Sequence, residues 1–251
     1  MTATSPIDTT APGTTAAARL EAQGFVLVPG VLQAAECSAL IHDLNANMQA
    51  PDRGGHRAHS ASGGQRDLLD RPWCQALAWR LQQCPALADL IPASAVAVQC
   101  TYFEKTPDRN WLVPLHQDLS IPVAERVDAP DLNGWSDKDG TLFVQPPAPL
   151  LQTLLAVRVH LDPCHADDGP LRVVPASHTQ GMLAADAARA LRDRAGDVPC
   201  LADAGTALVM RPLLLHASCK TSGTSKRRVL HFVFGPAQLP WGLRWRGAVV
   251  D

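Results

Sequence analysis

The sequence predicts a mainly β fold with flanking helices, a jelly roll whose two facing sheets open at one end. Three observations point there. From about Ser94 onward, short β-like runs alternate with clusters of turn residues. The chain holds 21 Pro and 17 Gly in 251 residues, which suits many short connections. Its acids are 20 Asp against four Glu, a composition of turns rather than of long charged helices.

In chain order, residues 1–15 are Thr, Ala and Pro with almost no bulky apolar groups and read as a mobile tail. Residues 16–251 read as one domain, a length that supports a substantial core. A short helix at 16–23 ends at Gly24, and a strand at 25–28 stops before Gly30. Leu40, Ile41, Leu44 and Met48 recur at helical spacing, so 34–48 reads as an amphipathic helix. Residues 51–65, with four Gly, Arg53, His56, Arg57 and His59, read as a mildly basic loop. A helix follows at 71–83 with Pro72 in its first turn. Eight strands are then expected, at 95–103, 111–115, 141–144, 153–161, 170–174, 206–210, 213–218 and 228–234, with a helix at 184–194. The stretch 122–149 carries little strand pattern and reads as a lid or substrate loop.

Bulk properties exclude several classes. A net charge of −2 gives no reason to expect nucleic-acid binding. No apolar run reaches the ~18 residues of a membrane span, and no basic segment leads into an apolar one at the N-terminus. Seven scattered cysteines without a CxxC pair read as reduced thiols of a cytoplasmic protein rather than as a disulfide framework.

The chemistry centres on His116-Gln117-Asp118. A His and an Asp two apart on a strand end point the same way and offer one imidazole and one carboxylate to a metal. HxD alone is weak evidence: nine His and 20 Asp placed at random give about 0.7 such pairs, and three occur. Strand order separates them. His116 closes the second expected run and His216 lies in the seventh; if His216 supplies a second imidazole, the set offers two imidazoles and one carboxylate to a single Fe(II). His160/Asp162 follows the fourth run and cannot be brought to face His216; His160 reads as a strand histidine satisfied by packing and a hydrogen bond. His165-Ala166-Asp167-Asp168-Gly169 reads as an acidic turn.

Such an iron centre uses a two-electron donor, usually 2-oxoglutarate, whose far carboxylate suits an arginine fork. Lys226-Arg227-Arg228 opens the eighth run. Alternation groups Arg228 with Leu230, Phe232 and Phe234, the more apolar face, and Arg227 with Val229, His231 and Val233, so pattern alone leaves both arginines open. Ser218 lies two residues past His216 on its side.

The chain resembles the phytanoyl-CoA dioxygenase family of Fe(II)/2-oxoglutarate oxygenases from about Leu20 to Gly235. The resemblance rests on three blocks in order. Lys105-Thr106-Pro107 leads to Pro114-Leu115-His116-Gln117-Asp118; Asp168-Gly169-Pro170-Leu171-Arg172-Val173-Val174-Pro175-Ala176-Ser177-His178 follows; Leu215-His216-Ala217-Ser218 precedes Arg227. It implies a double-stranded β-helix (cupin-like) fold, His116, Asp118 and His216 on iron, and Arg227 and Ser218 on 2-oxoglutarate, with Gln99 and Thr101 on the first strand as further contacts. It also implies dioxygen as oxidant and hydroxylation of a C–H bond in a small organic substrate, with release of succinate and CO2. Pro175–His178 resembles the family's Pro-Gly-Ser-His turn with Ala176 in place of Gly, a structural element that leaves His178 off the metal. Trp111, Trp135, Arg158 and the loop at 53–59 are candidates for the pocket mouth. Two other classes fit parts of the pattern: a non-catalytic cupin-like binding protein, and a zinc hydrolase on the same triad. Neither gives the arginine a task.

Overall fold

The computed structural model describes residues 14–49, 64–224 and 226–249. Most of the expected tail and of the loop at 51–65 lies outside these. Thr15, assigned to the tail, instead caps the first helix: its hydroxyl accepts the Ala18 N–H at 3.1 Å. Helix α1 (Ala16–Gln23) ends at Gly24, which adopts φ +80°. A Cβ there would lie 2.4 Å from the His178 ring, so glycine is required on two counts. Helices α2 (Ala34–Gln49) and α3 (Pro72–Gln82, Pro at the first turn) follow.

Numbered in chain order, the strands form three sheets among the described residues. The largest runs β1 (Phe25–Val28), β11 (Ala207–Met210), β8 (Leu155–His160), β13 (Arg227–Pro236), β3 (Ala95–Lys105), β2 (Gly64–Gln65), antiparallel throughout. Facing it is a four-stranded sheet in the order β10 (Val198–Pro199), β9 (Leu171–Val173), β12 (His216–Ser218), β4 (Val113–His116). The two sheets form the jelly roll.

The stretch 122–149 is not the open loop that its sequence suggested. It builds most of a third sheet, β5 (Ile121–Val123), β7 (Thr141–Gln145) and β6 (Asn133–Lys138), and runs into the short helix α4 (Ala148–Gln152). Turns at Asp139 and Gly140, both at positive φ, reverse the chain between β6 and β7. The last helix, α5 (Ala185–Ala195), lies one residue from its expected place. Residues 213–215, expected as strand, form a turn instead, with the Leu214 N–H bonded to the Arg211 carbonyl; the strand opens only at His216.

The main core lies on the outer face of the large sheet. Leu20, Leu44, Leu77, Leu81 and Leu87 pack there against Cys100, Tyr102, Val157, Leu230, Phe232 and Phe234. The opposite face, between the sheets, carries the polar set. Register aligns Arg227 with Lys105, His231 with Thr101 and Arg158, and Val233 with Gln99 and Ala156, all on the same side. No helix among the described residues is long and apolar enough to cross a membrane.

Candidate functional site

The inner faces enclose a cavity of about 540 Å³, within the usual range for small-molecule sites. His116 ends β4 and His216 opens β12, directly paired in the ladder, so their rings lie 4.1 Å apart. Asp118, on the turn after β4, donates its backbone N–H to the Pro212 carbonyl and turns its carboxylate towards Nε2 of both rings. Its oxygens lie 3.6 Å from His116 Nε2 and 3.8 Å from His216 Nε2. One ligand atom from each of the three falls within 4.8 Å of the others, the only such cluster among the described residues.

These residues fit a divalent metal by their tautomers. Each imidazole donates Nδ1–H to the carbonyl two residues earlier, His116 to Pro114 and His216 to Leu214, both at 2.8 Å. That leaves Nε2 of each ring, the nitrogen nearer the Asp118 carboxylate, as the atom that would ligate once deprotonated. Burial opposes charge on Asp118, but the two imidazoles more than offset it and hold its pKa well below the usual carboxylate range. Burial likewise opposes charge on His116, yet the Asp118 hydrogen bond and charge win and raise it. His216 is the more enclosed ring, and burial lowers it to about 4, so its nitrogen is free to ligate.

Gln117, between the two ligands, is buried and braces the turn. Its amide donates to the Leu213 and Gly181 carbonyls and accepts the Leu183 N–H. Ser177 performs the same service for His216: its hydroxyl accepts the Leu215 N–H at 2.8 Å and donates to the Val174 carbonyl.

Away from the triad, the cavity ends in a cationic recess. Arg227 lines it, buried, with Nη1 donating to the Gly169 carbonyl at 2.7 Å. Ser218 donates to the same carbonyl at 2.9 Å. Gly169, at φ +62°, is needed there, because a Cβ would lie 2.5 Å from the Cys219 carbonyl. Arg228 points to the opposite side and forms a two-pronged pair with Asp162 at 2.6–2.7 Å. The apolar side of β13 therefore belongs to the helix-covered core, and the sparser side to the cavity. Gln99 and Thr101 line the cavity as well, the Gln99 amide bonded to the Thr101 hydroxyl.

Three expectations need correction. Trp135 does not line the cavity; it packs in the cluster around the third sheet, with Arg126 over its ring. Arg158 sits inside the cavity rather than at its mouth, and Trp111 lines it as expected. His160 is packed on the inner face but has no hydrogen bond at either ring nitrogen, and burial beside Arg158 and Arg227 lowers its pKa to about 3. The acidic turn holds: Asp168 accepts the His165 N–H, closing the bend before Gly169. His178 lies off the metal cluster and bonds the Glu21 carbonyl on α1.

One residue of the site escaped the sequence reading. Lys105 is 1% exposed, donates to Ser218 Oγ at 2.6 Å and to the Cys219 carbonyl, and sits over the Trp111 ring. Burial and the neighbouring Arg227 charge lower its pKa to about 7. Its signal was present in the alternation of β3, which places Gln99, Thr101, Phe103 and Lys105 on one side.

The sequence profile of the phytanoyl-CoA dioxygenase (PhyH) family matches residues 20–229, which takes in the triad, the Gly169 turn and Arg227. The chain belongs to the phytanoyl-CoA dioxygenase family. No curated protein matches it in sequence. Among solved structures, this family member is similar to the non-heme alpha-ketoglutarate-dependent epimerase SnoN from nogalamycin biosynthesis, at 19% identity and TM-score 0.64, covering 90% of this chain and 85% of that one. HygX from Streptomyces hygroscopicus with nickel and 2-oxoglutarate bound shows 19% identity and TM-score 0.59, over 86% and 84%. AviO1 from Streptomyces viridochromogenes Tue57 shows 20% identity and TM-score 0.58, over 90% and 95%. These likenesses are of fold. Ala176, in the turn before α5, holds a left-handed conformation (φ +62°) that a glycine would adopt without strain.

Proposed function

We propose that this protein is an Fe(II)- and 2-oxoglutarate-dependent dioxygenase that hydroxylates an unactivated C–H bond of a small organic substrate. The overall change is balanced: substrate C–H, 2-oxoglutarate and dioxygen give the alcohol, succinate and CO2. The observation that carries the reading is one cavity with a two-imidazole, one-carboxylate cluster and, at its deep end, a buried arginine and serine turned inward. A zinc hydrolase or a purely binding cupin leaves that recess without work.

In this reading His116, Asp118 and His216 hold the iron, which with 2-oxoglutarate supplies the oxidising power. Arg227 and Ser218 hold the far carboxylate of the co-substrate, the Ser218 hydroxyl turning from the Gly169 carbonyl to do so while Lys105 stays on its oxygen. Gln99 and Thr101 contact the co-substrate from β3. Asp118 occupies the position that a small residue would leave open for another anion, which favours oxygen transfer to carbon. The rest of the cavity wall includes Leu112, Ile121, Phe143 and Trp245, with Lys138 above the Phe143 ring at 4.5 Å. Such a wall suits a largely apolar small molecule with a polar or anionic end. Residues 16–251 act as one catalytic domain, in the cytoplasm, with no nucleic-acid partner.

The test is a screen of small organic acids and natural-product-like compounds, scored by succinate formed per substrate consumed and by the mass of the product. The reading expects 2-oxoglutarate-dependent succinate release with a gain of one oxygen atom. Conversion without 2-oxoglutarate would overturn it.

A further inference from the structure

Arg158 is a buried cation of the cavity to which the reaction above assigns no task. It stands on the inner face of β8 and reaches across β13, so that its Cζ lies 5.4 Å from the centre of the Phe103 ring on β3. One Nη lies 3.1 Å from His231 Nδ1. That imidazole is itself buried and uncharged, its pKa lowered to about 3 by burial and the Arg158 charge. The Arg158 Nε is buried without a hydrogen-bond partner, and no carboxylate pairs with Arg158 among the described residues. An aromatic face and a neutral ring compensate a buried guanidinium only in part. Register sets Arg158 beside His231, two inward positions along β13 from Arg227, and the same cavity is lined by His116, Asp118 and His216. Its guanidinium thus serves the stretch of cavity between the far anion cradle and the metal ligands.

We propose that Arg158 binds the carboxylate of the 2-oxo acid that lies beside the metal, so that the cavity offers one guanidinium to each end of the co-substrate. Arg227 takes the far carboxylate and Arg158 the near one, and the dianion relieves two unpaired buried charges at once. Phe103 and His231 keep the Arg158 fork in place while the site is empty. This inference rests on the 2-oxoglutarate reading of the site and deepens it.

The experiment is a calorimetric titration of Fe(II)-loaded protein, oxygen excluded and iron content checked, with two ligands. One is 2-oxoglutarate; the other is 2-oxopentanoate, the same chain without the far carboxylate. Initial slopes give the affinity ratio where saturation is not reached. Arg158→Ala is expected to weaken both acids by at least tenfold, the scale of a lost charged hydrogen bond. Arg227→Ala is expected to weaken 2-oxoglutarate alone. The visible charge-transfer band of the complex should move in Arg158→Ala and stay in Arg227→Ala. If Arg158→Ala does not fold, Arg158→Lys carries the test, with the same common loss at smaller size. Unchanged affinity for both acids in the Arg158 variant, or loss confined to 2-oxoglutarate, overturns the inference while leaving the co-substrate reading intact. Failure of the wild-type protein to bind either acid removes that reading and the inference with it.

Discussion

His116 and His216 each commit the Nδ1 proton to a nearby carbonyl, which leaves Nε2 of each ring, facing the Asp118 carboxylate, as the ligating atom. Removing the carboxylate leaves two neutral donors, and removing His216 leaves a His and an acid. Asp118→Ala and His216→Ala are expected to abolish 2-oxoglutarate-dependent succinate release while far-ultraviolet circular dichroism stays unchanged. Lys105 gives a pH signature. Its folded pKa of about 7 lies below the ordinary lysine value, so at pH 8 it is largely uncharged. A carboxylate brought to the Arg227–Ser218 recess favours its charged form and raises that pKa. Binding of 2-oxoglutarate at pH 8 should therefore take up a proton, seen as a calorimetric enthalpy that varies with the ionisation enthalpy of the buffer. Lys105→Met should remove that dependence. For stability the sign is opposite to that of a paired lysine. Between pH 7 and about 10 the unfolded chain binds the proton and the folded one does not, so this group adds stability as pH rises.

At the scale of the element, β13 decides the most. Its two arginines face opposite ways, one into the cavity and one onto Asp162. Arg227→Ala is expected to raise the 2-oxoglutarate concentration needed for half-maximal turnover steeply. Arg228→Ala should leave it alone and cost about 1–3 kcal/mol of stability, measured by denaturant unfolding. The strand's apolar side was legible in the sequence, but its meaning was not. Leu230, Phe232 and Phe234 face helices α1–α3, so apolarity marked the outer core and the sparser side marked the site. Similarly, the triad was readable from HxD and strand order, because local spacing fixes His116 and Asp118 and the ladder fixes His216. The third sheet was not, because β6, Asn133–Lys138, is mostly polar and its hairpin with β7 is bulged, while β5 joins β7 only through a long-range pairing. Lys105 was missed because a lysine at a strand end is ordinarily solvated, and only the packed structure buries it. The turn before α5 offers a further check. Ala176 sits at φ +62°, so Ala176→Gly should stabilise the fold by about 1 kcal/mol, read from the shift in denaturation midpoint.

At the scale of the whole molecule, apolar packing and chemistry are divided between the two sides of one sheet. The large sheet turns its Leu and Phe rows to the helices and its Arg, His and Thr rows to the smaller sheet. The inner side concentrates buried cations around a cavity that a metal and a dianion would complete. Ligands that bind only the folded state stabilise it, by about 2.7 kcal/mol at a hundredfold excess over Kd. For a chain of this size that corresponds to a rise in Tm of roughly 5–10 °C with Fe(II) and 2-oxoglutarate, oxygen excluded. A chelator should reverse the rise.

The most direct test of the central claim is an anaerobic absorbance titration of the Fe(II)-loaded protein with 2-oxoglutarate. A site of the kind described here gives a saturable visible charge-transfer band at one equivalent of iron, absent in Asp118→Ala and shifted to far higher 2-oxoglutarate in Arg227→Ala. A wild-type protein that takes up iron yet shows no band at any 2-oxoglutarate concentration would contradict the account.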